Sequence, residues 1–204
     1  MALSCAPRFA CLPLPGPHLF ATAHFETSVD EIDSAYRSAS RGVPAPKPVV
    51  ELTLPSSLDD TLAPLGCHVA SLFVQYAPYD LSGGASWDDP AFKQTFVDRC
   101  ISVVDDHAPG FKASIVGIDA LSPLDLQRTF GLHKGNIFHG ALGLHQLAYN
   151  RPAPGFSRHR TPVEGLYLAA SGAHPGGGVS GAPGRNAAAA VLRDMGRRPW
   201  WGDE

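Results

Sequence analysis

Charge is scarce in this chain: Asp, Glu, Lys and Arg supply 17% of its 204 residues, and 16 basic against 19 acidic groups leave a formal net charge of −3. The densest basic groups are the pairs Arg158/Arg160 and Arg197/Arg198. That is too little to track a phosphate backbone, which argues against nucleic-acid binding. Long apolar runs are lacking as well; none approaches the ~18 residues of a membrane-spanning helix, so no transmembrane segment is expected. The four cysteines, Cys5, Cys11, Cys67 and Cys100, form no C-x-x-C pair. Neither a disulfide framework nor a zinc ribbon is expected, and a reducing compartment fits best. The first 25 residues contain no acid but only one arginine, Arg8, and Pro7, Pro13, Pro15 and Pro17 interrupt them. Transit peptides are acid-poor, Arg-rich and amphipathic, so this stretch meets one condition of three and is expected to be an irregular lead-in.

Glycine and proline are abundant, 21 and 19 residues, while a hydrophobic share of 44% argues against a disordered chain. Twelve of the 21 glycines fall between Gly131 and Gly184, a density that turns alone do not require. Upstream, Ser28-x-x-Glu31 reads as a capping box, with Val29, Ile32, Ala35 and Ala39 at helical spacing before Gly42. Strands are expected around residues 49–54, over 67–76 as a strand buried on both faces, and over 112–121. Asp89 followed by Pro90 predicts a helix start, and Phe92, Phe96, Cys100 and Val104, widened by Val97, Ile101 and Val103, give it an apolar face as far as His107. Ser122 to Asp125 caps a short helix ending at Gly131. Residues 131–164 show no sustained period, the pattern of a functional or disordered stretch. The fold class expected is mixed α/β of the α+β kind.

Residues 165–171 (GLYLAAS) read as a buried strand, followed by a glycine loop and a helix over 182–195 that includes four successive alanines. Gly176, Gly178 and Gly181 satisfy G-x-G-x-x-G. Glycine lets backbone approach a ligand closely, and the free N–H groups at a helix start attract negative charge. A complete dinucleotide fingerprint also needs a second strand and an acid about 20 residues on. That position falls near Gly196, with no strand to follow, so this is not the start of an ADP-binding unit. The positive end of such a helix also suits the pyrimidine edge of a flavin, where negative charge appears on reduction.

Residues 165–171 with Gly172, Ala173, His174, Pro175, Gly176, Gly177, Gly178 and Val179 resemble the C-terminal flavin motif of the bacterial-type phytoene desaturase family, a branch of the FAD-dependent, amine-oxidase-like oxidoreductases. Residues 51–59 (ELTLPSSLD), 108–112 (APGFK) and Phe130 to Leu132 with Gly135 to His139 extend the resemblance, which covers roughly residues 25 to 195. It implies an FAD-dependent oxidoreductase acting on an unspecified small or apolar organic substrate in the mitochondrial matrix. It assigns residues 172–179 to flavin contact, mostly through backbone, and Gly181 to helix packing. No catalytic acid or base is carried over, because the flavin itself takes the hydride. The family begins with a Rossmann unit that has no counterpart here. The chain is therefore expected to be a C-terminal portion: a lead-in over 1–25, part of a substrate domain over 26–164, the last strand, loop and helix of an FAD domain over 165–196, and a tail over 197–204. The alternative is a non-catalytic interaction or regulatory protein of mitochondria, with a protein partner.

Other candidates are weaker. His133, His139 and His145 recur every six residues, a spacing that neither helix nor strand places on one face, so no metal site is expected. His139 is the better candidate for lining a substrate cavity, the alternative being an ordinary loop histidine. His174 suits a positional role better than a proton shuttle. Ser171 and Ser180 lack the G-x-S-x-G frame of a hydrolase. Trp200 and Trp201 read as a frayed tail, a packed end or a partner site.

Overall fold

The computed structural model describes residues 1–140 and 142–202 and divides the chain into two units, Met1–Leu126 and Gln127–Glu204. The architecture is α+β, as the sequence predicts.

In the first unit, β1 (Ala2–Leu3), β2 (Ala23–His24), β3 (Val49–Thr53), β4 (His68–Val69), β5 (Ser71–Gln75) and β6 (Ile115–Gly117) form two antiparallel three-stranded sheets, ordered β4-β1-β6 and β2-β3-β5. In the second sheet β3 is central. Its Val50 pairs with Val74 and its Leu52 with both Leu72 and Ala23. Val50 and Leu52 sit on one face of the pleat, as residues two apart must, and both are buried in the main core.

Residues 1–25, expected to be an irregular lead-in, are partly built into this unit. β1 is the middle strand of the other sheet, Leu3 is fully buried, and Phe9 and Phe25 join the same core. The amino group of Met1 donates to the carbonyl of Ala70 at 2.8 Å. Two residues carry no periodicity, and the strand exists because partners 65 and more positions away supply its ladder.

The helices follow their caps. In α1 (Val29–Ser40) the Ser28 hydroxyl accepts from the Glu31 N–H at 3.3 Å, and Glu31 returns to Thr27 rather than to Ser28. Only part of its apolar stripe is covered: Ala35 is buried, whereas Val29, Ile32 and Tyr36 are exposed. α2 (Pro90–His107) starts where the Asp89 carboxylate accepts from the Ala91 N–H at 2.9 Å. Its Phe96, Cys100, Ile101, Val103 and Val104 are buried in the core that also holds Val50 and Leu52. Burial of each large apolar side chain contributes about 1.5–3 kcal/mol, so this helix face is a principal stabiliser of the unit.

The structure corrects three further expectations. Residues 67–76 do not form one strand buried on both faces. The segment divides into β4 and β5, which serve different sheets, with Ala70 buried between them. Because β5 is an edge strand, Leu72 and Val74 pack against the core while Ser71 and Phe73 are exposed. Residues 112–121 begin as helix: Gly110 has φ +94°, and α3 (Phe111–Ser114) turns Phe111 into the core before the short β6. Residues 165–171 form no strand; one bridge, Arg160 with Tyr167, is their only ladder pairing among the described residues. The composition favours extension, but a strand also needs a neighbour to satisfy its backbone.

α4 (Pro123–Phe130) begins with a capping box closed by an aspartate. One Asp125 oxygen accepts from the Ser122 N–H at 2.8 Å and its hydroxyl at 2.6 Å, and the Asp125 N–H donates to the Ser122 hydroxyl at 3.2 Å. Lys93 of α2 donates to the same oxygen at 2.7 Å. The Lys93 ammonium, followed by the Ser122 hydroxyl, lowers the Asp125 pKa from 3.8 to about 2. A carboxyl whose pKa is lower in the folded chain stabilises it fully above the unfolded value and ceases to do so as pH falls through the folded one. The first unit should therefore lose stability between pH ~4 and ~2. Asp125→Asn should cost about 0.5–2 kcal/mol at neutral pH, the usual range for a lost cap, and flatten that acid limb in urea titrations followed by circular dichroism.

Candidate functional site

The second unit has little apolar interior. Prolines aside, its buried apolar side chains among the described residues are Ala173, Ala187, Ala189 and Ala190. Beyond the end of α4, regular structure among its described residues is limited to 3-10 turns at His133–Gly135, Leu144–Gln146 and Ala148–Asn150 and to α5 (Ala182–Asp194). Between residues 131 and 164 the described residues form only these 3-10 turns and one isolated bridge, with no α-helix or named strand. The largest fully buried side chain is an arginine, Arg151, only 1% exposed.

Arg151 organises the site. Its Nε and Nη2 donate to the Ser171 carbonyl at 3.1 and 2.8 Å, and Nη2 also reaches the carbonyls of Phe138 at 3.1 Å and His139 at 3.3 Å. A planar guanidinium with donors in a fixed fork can bind several converging carbonyls at once, which a lysine ammonium on its flexible stem does less rigidly. One side chain thereby ties the residue before Gly172 to the segment containing His139. Within the loop, Ala173 is buried and its N–H donates to the Ala170 carbonyl at 2.9 Å. The His174 ring Nδ1 lies 3.1 Å from the Ala148 carbonyl, a contact suited to the positional role expected of it.

The glycines divide by environment. Gly176 is buried at φ +114°, and a Cβ there would touch Arg151 and Leu142 at 3.6 Å. Gly178 has φ +129° with open space beyond it; both values lie where L side chains are strained. Gly172 also faces open space, while a Cβ on Gly177 would meet Phe138 at 3.7 Å and Ser171 at 3.8 Å. Pro175 and Val179 are exposed. The loop ends at Gly181, φ +68°, the N-cap of α5, whose first turn holds no acid. Glycine is therefore called for by positive φ at Gly176 and Gly178, and Gly172 and Gly178 have open space in front of their backbone.

His139 is brought to the clamp through its carbonyl, while the residue as a whole is exposed. Sequence reasoning misses the clamp itself. Arg151 is the one charged residue between Lys134 and Arg158, and that isolation in an apolar, glycine-rich stretch is the only trace it leaves in the sequence. Among the described residues no group of three or more His, Cys, Asp or Glu could hold a metal ion, and no helix is long and apolar enough to cross a membrane.

Arg151→Met removes four charge-assisted hydrogen bonds to three carbonyls, and at about 1.5–3 kcal/mol for each well-formed one the loss is about 3 kcal/mol or more. Hydrogen exchange followed by mass spectrometry should show amides of residues 138–176 losing protection while those of α2 keep it. Unchanged protection over 138–176 would refute the clamp.

No protein-family model matches the chain. It is 56% identical over 164 residues to the rat protein named pyridine nucleotide-disulfide oxidoreductase domain-containing protein 2, a match covering 80% of this chain and 28% of the relative. It is 31% identical over 158 residues to a limonene dehydrogenase component of Castellaniella defragrans, covering 74% of this chain and 28% of that one. With the lycopene-forming phytoene desaturase of Pantoea ananas it shares 32% identity over 142 residues, 69% of this chain and 27% of the other. The chain thus spans little more than a quarter of the length of these relatives, and across 80% of its own residues it is a homologue of pyridine nucleotide-disulfide oxidoreductase domain-containing protein 2.

Proposed function

We propose that the chain forms part of an FAD-dependent oxidoreductase, with the loop over Gly172, Ala173, His174, Pro175, Gly176, Gly177, Gly178 and Val179 lying against the flavin. The observation that carries this reading is a clamped glycine loop with bare faces at Gly172 and Gly178 that runs into the N-terminus of α5. A side chain at either glycine would fill the space in front of the backbone, so the residues present fit a flat ligand at close approach. The names of the three relatives support an oxidoreductase. The flavin, when bound, supplies hydride acceptance. The chain's own residues would position it: backbone N–H groups of the loop and the positive end of α5 would stabilise the negative charge that develops on it. The described residues do not form the strand, glycine loop, helix and second strand that a dinucleotide pyrophosphate requires, so the reading gives this chain one end of the cofactor. A mitochondrial matrix location belongs to the same proposal, with cell fractionation as its check.

A second reading, a protein-interaction module, is favoured by the exposure of Leu144, Tyr149, Val163, Leu166 and Val179 in the second unit. The two readings diverge in one experiment. In a full-length relative, leucine in place of the glycine matching Gly178 should weaken flavin retention at least about tenfold, read as lost visible flavin absorbance with the far-ultraviolet circular dichroism unchanged. Full retention of flavin would remove the loop from the cofactor site and leave the interaction reading.

A further inference from the structure

In the first unit β5 ends its sheet, and no strand among the described residues pairs with its outer side. What that side presents follows from one hydrogen bond on β3. The Val50 N–H donates to the carboxylate of Glu26, two residues past the end of β2, at 2.9 Å. That N–H is therefore turned toward the β2 side and away from β5. Backbone groups alternate in direction along a strand, and facing residues of an antiparallel pair alternate between bonded and non-bonded. The pairs that exchange hydrogen bonds with β5 are then Val49 with Gln75, Glu51 with Phe73 and Thr53 with Ser71. The N–H and C=O groups of Leu72 and Val74 point the other way, off the edge.

This edge lacks the devices that keep strands apart. Natural edges are guarded by charge, proline, bulges or shortness. Residues 67–79 (CHVASLFVQYAPY) hold no Asp, Glu, Lys or Arg, and no proline lies within β5. Its five residues pair with β3 without a break in register. β5 equals β3 in length, whereas the other four strands have two or three residues. Leu72 and Val74 pack against the core on one face, and Phe73 is 43% exposed on the other. A strand laid along the edge would meet unused donors and acceptors, an apolar row to extend and an aromatic ring to cover.

We propose that in the full-length relatives this edge is covered by an extended, uncharged strand from the part of the polypeptide that this chain does not match. The chain covers 28% of the rat relative, so most of that protein lies outside it and is available to supply a neighbour. A strand of the same polypeptide is held at high effective concentration and forms the ladder without the cost of association. A second copy meeting β5 edge to edge would share only five residues, about 17 Å of ribbon, too narrow for the ~1,200 Å² that a stable interface buries. The covering strand carries apolar residues beside Leu72 and Val74, whose row it continues, and β-branched or aromatic ones beside Phe73. The inference rests on the shared family and not on the flavin reading.

The test is residue-resolved hydrogen exchange, by mass spectrometry with electron-transfer fragmentation, on the full-length rat relative and on the 204-residue chain. In the full-length protein the amides matching Leu72 and Val74 should exchange at least about a hundredfold more slowly than unstructured ones, as slowly as that matching Phe73, and should keep this protection on dilution. In the 204-residue chain the three should alternate, Phe73 slow and Leu72 and Val74 fast, because only the Phe73 amide faces β3. Fast exchange of Leu72 and Val74 in the full-length protein would overturn the proposal on its own, whatever the shorter chain does. Protection that disappears on dilution would assign the edge to a second copy, and equal protection in the 204-residue chain would show it covered from within; either result overturns the proposal. Flavin content is not read, so these outcomes are separate from the success or failure of the loop proposal.

Discussion

A buried guanidinium bonded to backbone carbonyls holds the glycine loop. Removing a cation from water is costly, and Arg151 offsets that cost by giving donors to the carbonyls of Phe138, His139 and Ser171. Backbone carbonyls in irregular segments have no helix or sheet to satisfy them. One arginine therefore solves two problems, its own desolvation and theirs. Gly176 packs against the clamp, but its φ of +114° is what calls for glycine, since a Cβ there would make only ordinary contact with Arg151.

The two units consequently rest on different physics. The first is stabilised by apolar burial, with Leu3, Val50, Leu52, Val104 and Phe111 almost wholly enclosed. The second buries alanines and an arginine and leaves Leu144, Leu166 and Val179 exposed. Apolar packing is non-directional and tolerates exchange of similar volumes. Hydrogen bonding to a fork of donors is directional and does not. Lysine at position 151 could keep the charge but would lose the planar fork, and leucine would keep some volume but leave the carbonyls unpaired.

What the sequence disclosed follows from how local each signal is. Asp89 with Pro90, Ser28 with Glu31 and Ser122 with Asp125 announce helix starts within four residues, and the structure forms all three caps. β3 lies where its β-branched run predicts. β1 was illegible because two residues have no period and their partners are remote. Residues 165–171 misled for the opposite reason: their composition suits a strand, but composition cannot supply the neighbour that makes one. The glycine loop was legible as a loop, though Gly131, Gly135, Gly155 and Gly165 also take positive φ, so turns account for part of the glycine density. Arg151 was not, since a buried cation defies the general placement of charged residues and is recognisable only when its carbonyl partners are seen.

The clamp also sets the polarity that the loop presents. The carbonyls of Phe138, His139 and Ser171 point inward to Arg151, and that of Ala148 is engaged by His174. Four acceptors are thereby withdrawn from the surface around residues 172–179. No carboxylate sits in the first turn of α5, where the helix dipole is positive. An acid-free helix N-terminus favours electron-rich groups over cations. No lysine or arginine lies between Gly172 and Gly184, so the character of this stretch comes from its backbone, as the proposed flavin contact requires. Glycine and a buried arginine are thus complementary parts of one device: the arginine collects the negative ends of the peptide dipoles, and the glycines leave the other face of the backbone bare.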